Sequence, residues 1–360
     1  MFTAADHEFM GQALELAGRG LYTTTPNPRV GCVIVKDGAA IGTGWHERAG
    51  LPHAEVLALK ASGDRARGAT LYVNLEPCSH QGRTPPCVDA VIAAGIGRVV
   101  AAMQDPNPKV AGTGFAKLRA AGIAVEQGLK EDEARELNIG FVARMTRGLP
   151  WVRMKIAASL DGRTALANGK SQWITGEAAR ADGHRWRARA CAVLTGFGTV
   201  RDDDPRLDVR GVDTPRQPLK IVVDSKLETS PSARILKGGN ALVAGGVRDQ
   251  KKIAALEAAG AEVVLIPNDR GKVELFKLMQ ELARRELNEI HVEAGAKLNG
   301  SLLQAGVVDE LLVYLAPNLI GDAGRGMFAL PEIAELSQKT ALTIRDLERV
   351  GEDLRILARI

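Results

Sequence analysis

The stretch from His53 to Cys87 constrains the fold most, because it carries one imidazole and two thiols in the pattern of a zinc site. It contains His53-Ala54-Glu55, then Glu76-Pro77-Cys78, and after eight further residues Cys87. One nitrogen and two sulfur ligands suit a tetrahedral zinc whose fourth position is left for water, which is typical of a catalytic site. We therefore predict one Zn²⁺ per chain, bound by His53, Cys78 and Cys87.

Glu55 follows the first predicted ligand by two residues and directly precedes the apolar run 56–59, so it is expected in the first turn of a helix. Zinc deaminases carry H-x-E followed by P-C-x-x-C, and their glutamate is the general acid and base. The second cysteine comes later here, so the loop between the cysteines is enlarged and is expected to contact substrate. The alternative is a closed zinc knuckle with His80 or Cys32 as fourth ligand, but a closed site would leave Glu55 without a role.

Four motifs together identify a family. They are Thr25-Pro26-Asn27-Pro28-Arg29-Val30-Gly31, His53-Ala54-Glu55, Glu76 to Cys87, and Lys155-Ile156-Ala157-Ala158-Ser159-Leu160-Asp161-Gly162-Arg163. Over nearly its whole length the chain resembles the bifunctional riboflavin-biosynthesis deaminases and reductases, in which the enlarged cysteine loop also occurs. The resemblance implies an α/β protein with an N-terminal cytidine-deaminase-like three-layer α/β/α domain and a C-terminal dihydrofolate-reductase-like α/β domain.

The resemblance also implies a deaminase pocket formed by Asn27, His46 and Arg83. Asn27 lies between two prolines, which favour a rigid turn because each pushes its predecessor out of the helical region. Arg83 lies in the enlarged cysteine loop, where it is expected to reach the substrate phosphate. Without the resemblance, His46 would be read as a surface histidine.

The domain organisation follows from length and from one break. A chain of 360 residues exceeds the usual size of a single core. The segment Arg147-Gly148-Leu149-Pro150 marks the boundary, so we predict a zinc-dependent pyrimidine deaminase domain at 1–147 and an NADPH-dependent reductase domain at 148–360. One charged helix is expected at 131–145, ahead of the break.

Alternating strands and helices predict a largely parallel sheet in each domain. An Asp-Gly turn at 37–38 predicts a hairpin. The expected strands are 30–35, 39–43, 69–75, 98–103 and 123–127 in the first domain, and 151–158, 192–195, 219–224, 241–244, 262–266, 289–293 and 310–315 in the second.

A glycine-bearing turn is the candidate phosphate cradle of the second domain, which has no G-x-G-x-x-G motif after a strand. The turn spans Gly295 to Ser301 and is expected to precede an apolar helix, where backbone N–H groups could hold a pyrophosphate. Strand-to-helix turns also contain glycine for packing alone, and the sequence leaves both interpretations open.

The resemblance assigns the remaining contacts of the second domain. Arg187 and Arg210 suit a phosphate monoester, although solvated surface arginines would have the same pattern. Lys155 is either in the cleft or an edge residue facing water, and Ser225 with Lys226 are the candidates for selecting NADPH over NADH. The implied NADPH contacts are Ala157, Trp173, Thr199, Ser225, Gly295, Ala296, Lys297, Leu298, Asn299, Gly300 and Ser301. The implied substrate contacts are Lys155, Ser171, Arg187, Asp203, Leu207, Arg210 and Glu293.

Composition limits the partners and the compartment. The net charge is +4 and aromatic residues make up 4%, which argues against a nucleic-acid-binding surface. Cys78 and Cys87 are assigned to metal, so no disulfide framework is left and the cytoplasm is expected. The N-terminus lacks the pattern of a signal peptide, and no apolar run approaches the length of a membrane span. We expect a homo-oligomer, either a dimer or a tetramer.

The leading hypothesis is a two-step enzyme acting on small phosphorylated pyrimidines. The first domain would deaminate 2,5-diamino-6-(5-phosphoribosylamino)pyrimidin-4(3H)-one, and the second would use NADPH to reduce 5-amino-6-(5-phosphoribosylamino)uracil to its ribityl product. One alternative is an RNA or nucleobase deaminase with a C-terminal binding domain. Another is a non-enzymatic scaffold stabilised by zinc.

Overall fold

The computed structural model describes residues 1–81, 85–108 and 110–360 and contains two compact units, Met1–Gly148 and Leu149–Ile360. The last helix of the first unit ends at Gly148, which has a φ of +68°. Glycine adopts this left-handed conformation without a steric penalty, so the helix ends there and the chain changes direction. Among the described residues, no helix is long and apolar enough to cross a membrane.

The first unit is a five-stranded sheet with helices on both faces. The strand order is β2-β1-β3-β4-β5, with β1 antiparallel to both neighbours and β3, β4 and β5 parallel. Its strands are β1 (Gly31–Lys36), β2 (Ala39–Trp45), β3 (Thr70–Val73), β4 (Arg98–Ala101) and β5 (Ala124–Gln127), and its helices are α1 (Ala4–Gly18), α2 (Ala54–Ser62), α3 (Cys87–Ala93), α4 (Thr113–Ala120), α5 (Glu131–Leu137) and α6 (Ile139–Arg147).

Two hydrophobic clusters make this unit a three-layer sandwich. One packs α2, α3 and α4 against one face of the sheet, with Ala58, Val91 and Phe115 among its buried side chains. The other packs α1 and α5 against the opposite face through Met10 and Ala134. The predicted three-layer α/β/α arrangement is therefore confirmed.

Local hydrogen bonds and turn geometry fix the first helix and the first hairpin of this unit. Thr3 caps α1 by accepting a hydrogen bond from the Asp6 N–H, and the Asp6 side chain accepts from the Thr3 N–H. This reciprocal capping box satisfies two N–H groups that a helix start leaves without partners. In the hairpin between β1 and β2, Asp37 and Gly38 both have positive φ, as a tight Asp-Gly turn requires.

The prediction of one helix at 131–145 is wrong, because the chain breaks at Asn138 into α5 and α6. The Asn138 side chain accepts from the Arg29 N–H at 2.7 Å and donates to the Arg29 carbonyl at 2.9 Å. This pair of bonds satisfies the backbone of Arg29, which lies two residues before the start of β1. A helical periodicity cannot reveal such a distant partner.

The second unit contains a nine-stranded sheet in the order β11-β10-β9-β8-β12-β6-β13-β16-β15. The seven strands from β11 to β13 are parallel, and β16 and β15 complete the sheet antiparallel to their neighbours. The strands are β6 (Trp151–Ser159), β7 (Arg163–Ala165), β8 (Ala192–Gly196), β9 (Leu219–Val223), β10 (Ala241–Gly245), β11 (Ala261–Leu265), β12 (Glu289–Val292), β13 (Glu310–Ala316), β14 (Arg325–Gly326), β15 (Thr343–Val350) and β16 (Asp353–Arg359).

Five helices cover this sheet: α7 (Glu177–Arg189), α8 (Phe197–Asp203), α9 (Gln250–Ala258), α10 (Leu275–Arg284) and α11 (Ala296–Gln304). The largest cluster packs α10 and α11 on one face through Met279 and Leu302, and a second packs α8 and α9 on the other through Val200 and Leu256. The predicted parallel strands are present, but the sequence missed the hairpin of β15 and β16. Charged residues interrupt its alternation, and ion pairs such as Arg355 to Asp346 at 2.8 Å join the two strands.

Candidate functional sites

The three predicted zinc ligands converge in the first unit. His53 precedes α2 as its N-cap residue, Cys78 follows β3, and Cys87 is the first residue of α3. Their ligand atoms all lie within 4.8 Å of one another, and the His53 Nδ1 lies 3.2 Å from the Cys87 Sγ and 3.6 Å from the Cys78 Sγ. Zinc favours such a compact set of one imidazole and two sulfurs. The residues therefore fit this metal.

The thiol of Cys78 is prepared for the metal-binding form. Hydrogen bonding by Cys87 and His53 lowers the pKa of Cys78, and the Cys87 N–H also donates to the Cys78 Sγ at 3.3 Å. The thiolate, not the thiol, is the metal ligand.

The alternative of a closed knuckle is not supported by the described residues. Cys32 is fully buried on β1 within the hydrophobic core, and His80 is exposed. Neither belongs to the group of His53, Cys78 and Cys87. Three protein ligands leave one tetrahedral position for a small molecule, which distinguishes a catalytic zinc site from a structural one.

Glu55 lies in the first turn of α2 and is 3% exposed. Burial raises the pKa of its carboxyl group to about 7, and the nearby Cys78 sulfur adds to this effect. Its Oε2 has no hydrogen-bond partner among the described residues. A buried carboxyl oxygen without a hydrogen-bond partner costs free energy. The presence of Glu55 beside the three ligand residues therefore points to a role in catalysis and not in stability.

Asn27 and His46 come together beside the cluster, as an assembled pocket requires. The Asn27 Nδ2 lies 3.0 Å from the His46 Nε2, and the His46 Nδ1 lies 3.2 Å from the Pro52 carbonyl. The tautomer with its proton on Nδ1 satisfies both contacts. Burial lowers the pKa of His46, whose ring packs edge-on against His53 with centroids 5.0 Å apart. Arg83, the third predicted pocket residue, lies outside the described residues.

Glu76 has a role that the sequence analysis missed. Its side chain is 2% exposed and accepts four backbone hydrogen bonds. The Asp105 and Gly112 N–H groups donate to Oε2 at 3.1 and 2.9 Å, and the Gly114 and Phe115 N–H groups donate to Oε1 at 2.9 and 3.1 Å. The carboxylate thus caps the N-terminus of α4 and fixes the chain two residues before Cys78. The only sequence feature that could have indicated this role is the position of Glu76 directly before the Pro77-Cys78 motif.

In the second unit, Lys155, Arg187 and Glu293 form one partly buried charged group. The Arg187 guanidinium makes a two-pronged ion pair with Glu293, in which Nη2 lies 2.9 Å from Oε2, and its Nη1 donates to the Asp208 carbonyl at 3.1 Å. Burial alone would raise the Glu293 pKa, but Arg187, His291 and Lys155 outweigh it and hold that pKa well below its usual range. Burial lowers the pKa of Lys155, while Glu293 opposes this shift.

The other predicted substrate contacts are more dispersed. The Arg210 guanidinium is paired with the Asp208 carboxylate, and the Arg210 backbone N–H donates to the His184 Nδ1 at 3.2 Å. Leu207 has a φ of +50°, a left-handed backbone conformation that residues other than glycine rarely adopt. Asp203 ends α8, where burial raises its pKa, and Ser171 lies in the loop after β7.

Many of the predicted NADPH contacts share one edge of the sheet. Ala157 lies near the carboxyl end of β6, and Thr199, Ser225 and Gly295 closely follow β8, β9 and β12. These four strands are adjacent and parallel, so their carboxyl ends lie at the same edge, where open α/β sheets bind ligands. Trp173 is 70% exposed, and the Arg180 guanidinium lies 4.7 Å from its ring centroid.

The extent of the predicted glycine turn is wrong, because α11 begins at Ala296 with Gly295 as its N-cap. Lys297, Leu298, Asn299, Gly300 and Ser301 are therefore helical. No side chain caps this helix, so the N–H groups of its first turn, which lack intrahelical acceptors, remain available for an anion. Gly300 serves packing instead, since a Cβ there would lie 2.1 Å from the Ala329 carbonyl oxygen.

Comparisons with known proteins agree with this division of sites. Residues 3–103 match the cytidine and deoxycytidylate deaminase zinc-binding region, and residues 150–356 match the RibD C-terminal domain. The chain is 48% identical to the riboflavin biosynthesis protein RibD of Escherichia coli, over 97% of this chain and 98% of that protein.

Two solved structures extend the likeness to the fold. Acinetobacter baumannii RibD is 44% identical with a TM-score of 0.92, over 99% of this chain and 98% of that one. A Thermotoga maritima protein described as a diaminohydroxyphosphoribosylaminopyrimidine deaminase/5-amino-6-(5-phosphoribosylamino)uracil reductase is 32% identical with a TM-score of 0.87, over 99% and 98%.

The fold and sites thus define an α/β enzyme that joins a zinc deaminase to a reductase. The chain belongs to the RibD family of riboflavin biosynthesis proteins. The predicted cytidine-deaminase-like and dihydrofolate-reductase-like folds, the bifunctional role in riboflavin biosynthesis, and the use of Zn²⁺ and NADPH are confirmed. This assignment does not favour an RNA or nucleobase deaminase, or a non-enzymatic scaffold.

Proposed function

We propose that residues 1–147 release ammonia from 2,5-diamino-6-(5-phosphoribosylamino)pyrimidin-4(3H)-one and that residues 148–360 reduce the deaminated product with NADPH. The observation that carries the first step is the buried Glu55 carboxylate beside the cluster of His53, Cys78 and Cys87. The partly buried charged group of Lys155, Arg187 and Glu293 supports the second. The Thermotoga maritima relative is described by the same two activities.

The deaminase residues have two proposed roles, which are orientation of the pyrimidine substrate and proton transfer. When bound, zinc is a Lewis acid that makes water nucleophilic near neutral pH. Asn27 and His46, joined at 3.0 Å, hold the pyrimidine ring in one orientation. Glu55 accepts a proton from the attacking water and returns it to the departing amine, which balances the protons of the hydrolysis. Arg83 is proposed to bind the substrate phosphate.

The reductase residues chiefly position the substrate. When bound, NADPH supplies the hydride. Arg187 is held by Glu293 and by the Asp208 carbonyl, so its guanidinium has a fixed orientation toward the phosphosugar. Ser171, Asp203, Leu207 and Arg210 complete the proposed substrate side. Trp173, Ser225 and the first turn of α11 are proposed to hold the dinucleotide, and Ser225 with Lys226 to select NADPH.

The proposed assembly is at least a dimer in the cytoplasm. Strand β15 ends the sheet and carries Ile344 and Leu347, which are 62% and 59% exposed. An open edge strand that exposes two large apolar side chains favours contact with another chain, and we assign a second copy as its partner. Sedimentation should therefore give a smaller species for Leu347→Lys. None of the four cysteines, all of which lie in the described residues, forms a disulfide, as a reducing compartment favours.

The test is to incubate the full-length protein with the diaminopyrimidine, with and without NADPH, and to identify each product by mass. Glu55→Gln should lower ammonia release by about 10²- to 10⁴-fold, because the proton relay is lost, while zinc content stays at that of the wild type. Given deaminated intermediate, this variant should still oxidise NADPH.

Glu8→Gln is the matched control, because Glu8 is an exposed carboxylate on the same unit. Cys87→Ala should lose zinc and deamination together. Retention of zinc in Cys87→Ala with loss of zinc in Glu55→Gln would contradict the assigned roles. Loss of NADPH oxidation on chelation would contradict the assignment of the two activities to separate units.

A further inference from the structure

A basic cavity of about 360 Å³ lies in the second unit, outside the groups assigned above. Lys220 lines it from β9, Arg206 and Asp208 from the segment after α8, and Arg234 and Lys237 from the short 3-10 turn at 234–236 and its end. None of these five residues is among the predicted substrate or NADPH contacts. Its volume falls within the roughly 300–1,000 Å³ of small-molecule sites.

The charges around this cavity do not balance. Four cations face one carboxylate, and the Asp208 carboxylate already pairs with Arg206 at 2.7 Å and with Arg210. Within the described parts of the chain, neither the Arg234 nor the Lys237 side chain forms an ion pair. The cavity therefore carries an excess of positive charge that a bound anion would neutralise.

Lys220 distinguishes this cavity from an ordinary basic surface. The residue is 8% exposed, and its Nζ donates to the Lys237 carbonyl at 3.0 Å. An ammonium group has three N–H donors, so two remain for other partners. Burial lowers the pKa of Lys220, an effect that Asp208 opposes and Arg206 reinforces. An anion beside it would offset the cost of removing this charge from water.

We propose that this cavity binds the phosphate group of a small phosphate monoester, at a site distinct from the two catalytic sites. Two guanidinium groups can each offer paired N–H donors to phosphate oxygens, and two lysines add point charges. The volume leaves room for an organic group beyond the phosphate. The Asp208 carboxylate also pairs with Arg210, and the Asp208 carbonyl accepts a hydrogen bond from Arg187. The cavity therefore adjoins the two proposed substrate arginines, which do not line it.

The experiment titrates zinc-loaded, full-length protein with inorganic phosphate and with glycerol 3-phosphate, by calorimetry at constant ionic strength set with chloride. The cavity variant is Arg234→Ala with Lys237→Ala, and the control is Arg248→Ala with Lys251→Ala. The residues of both pairs are exposed, and each double substitution removes two positive charges. Neither variant changes a proposed substrate residue, so phosphate binding at the catalytic sites is the same in both and cancels in the comparison.

The cavity variant should lose affinity for glycerol 3-phosphate by about tenfold or more at one site, because hydrogen bonds to charged groups contribute on that scale. The control should titrate like the wild type, and all three proteins should melt at the same temperature in chloride. Identical titrations for cavity and control variants would overturn the site. Tighter binding of inorganic phosphate than of glycerol 3-phosphate at the affected site would overturn the proposal that the ligand is a phosphate monoester.

Discussion

Replacing Glu76 with glutamine should loosen the metal centre without touching a ligand. The glutamine amide has the shape of the carboxylate but only one oxygen, whereas four N–H groups now donate to two oxygens. Whichever way the amide turns, two backbone N–H groups lose their acceptor and face an NH₂ group. At about 1.5–3 kcal/mol for each bond to a charged acceptor, the free energy of unfolding should fall by about 3–6 kcal/mol. A single domain is typically stable by about 5–15 kcal/mol, so this is a large fraction.

Zinc release during urea unfolding of the full chain measures this effect, because the metal reports on the first unit alone. Glu76→Gln should release zinc at a clearly lower urea concentration, and the amides of Gly112, Gly114 and Phe115 should exchange hydrogen faster. Glu126→Gln is the control: this carboxylate is 41% exposed and pairs with Arg98 at 2.8 Å, so its loss should cost less than about 1 kcal/mol. Equal urea midpoints for the two variants would refute the capping role of Glu76.

Three further predictions concern the folding of each unit. The Arg98 side chain, despite opposition from burial, holds the pKa of Asp6 well below its usual range. Asp6→Asn should therefore lower the free energy of unfolding at pH 7. In acid titrations followed by circular dichroism, the difference from wild type should shrink progressively once the pH falls below the unfolded-state pKa of about 3.9, toward the lower folded-state pKa. A difference that stays constant between about pH 4 and about pH 2 would contradict the ion pair. Gly31→Ala should lower the free energy of unfolding by at least about 1–3 kcal/mol, because its Cβ would lie 2.1 Å from the Ala13 carbonyl oxygen. Gly11→Ala has open space around its Cβ and should leave that free energy unchanged or raise it. Thermal melting of the two variants measures the difference. Arg153→Met should cost up to about 3–5 kcal/mol in urea unfolding, because it removes the cation shared by the buried Glu289 and Glu310 carboxylates, although Arg189 still pairs with the first and Arg359 with the second. Arg284→Met removes an exposed partner of Glu281 and should cost under about 1 kcal/mol. Similar costs for the two variants would show that the buried pairs stabilise the fold no more than a surface pair.

The sequence by itself determined the features that depend on short-range spacing. His53, Glu55, Cys78 and Cys87 were assigned from ligand chemistry and residue order, and the structure places the three ligands within 4.8 Å of one another. The Asp37-Gly38 hairpin was predicted from a two-residue turn motif. The hairpin requires only that neighbouring residues satisfy backbone geometry. The ligands are as much as 34 residues apart, but their residue types and the motifs around them name them without any knowledge of the fold.

The tertiary structure alone decided which distant residues meet. Glu76 caps α4 from 38 residues away, Asn138 breaks a predicted helix to bind Arg29 from 109 residues away, and Arg187 pairs with Glu293 from 106 residues away. Each contact depends on the order of strands in a sheet, which brings together segments that no local periodicity relates. Hydrogen bonds and charges act over a few ångströms in space, so their partners are fixed only once the sheets have formed.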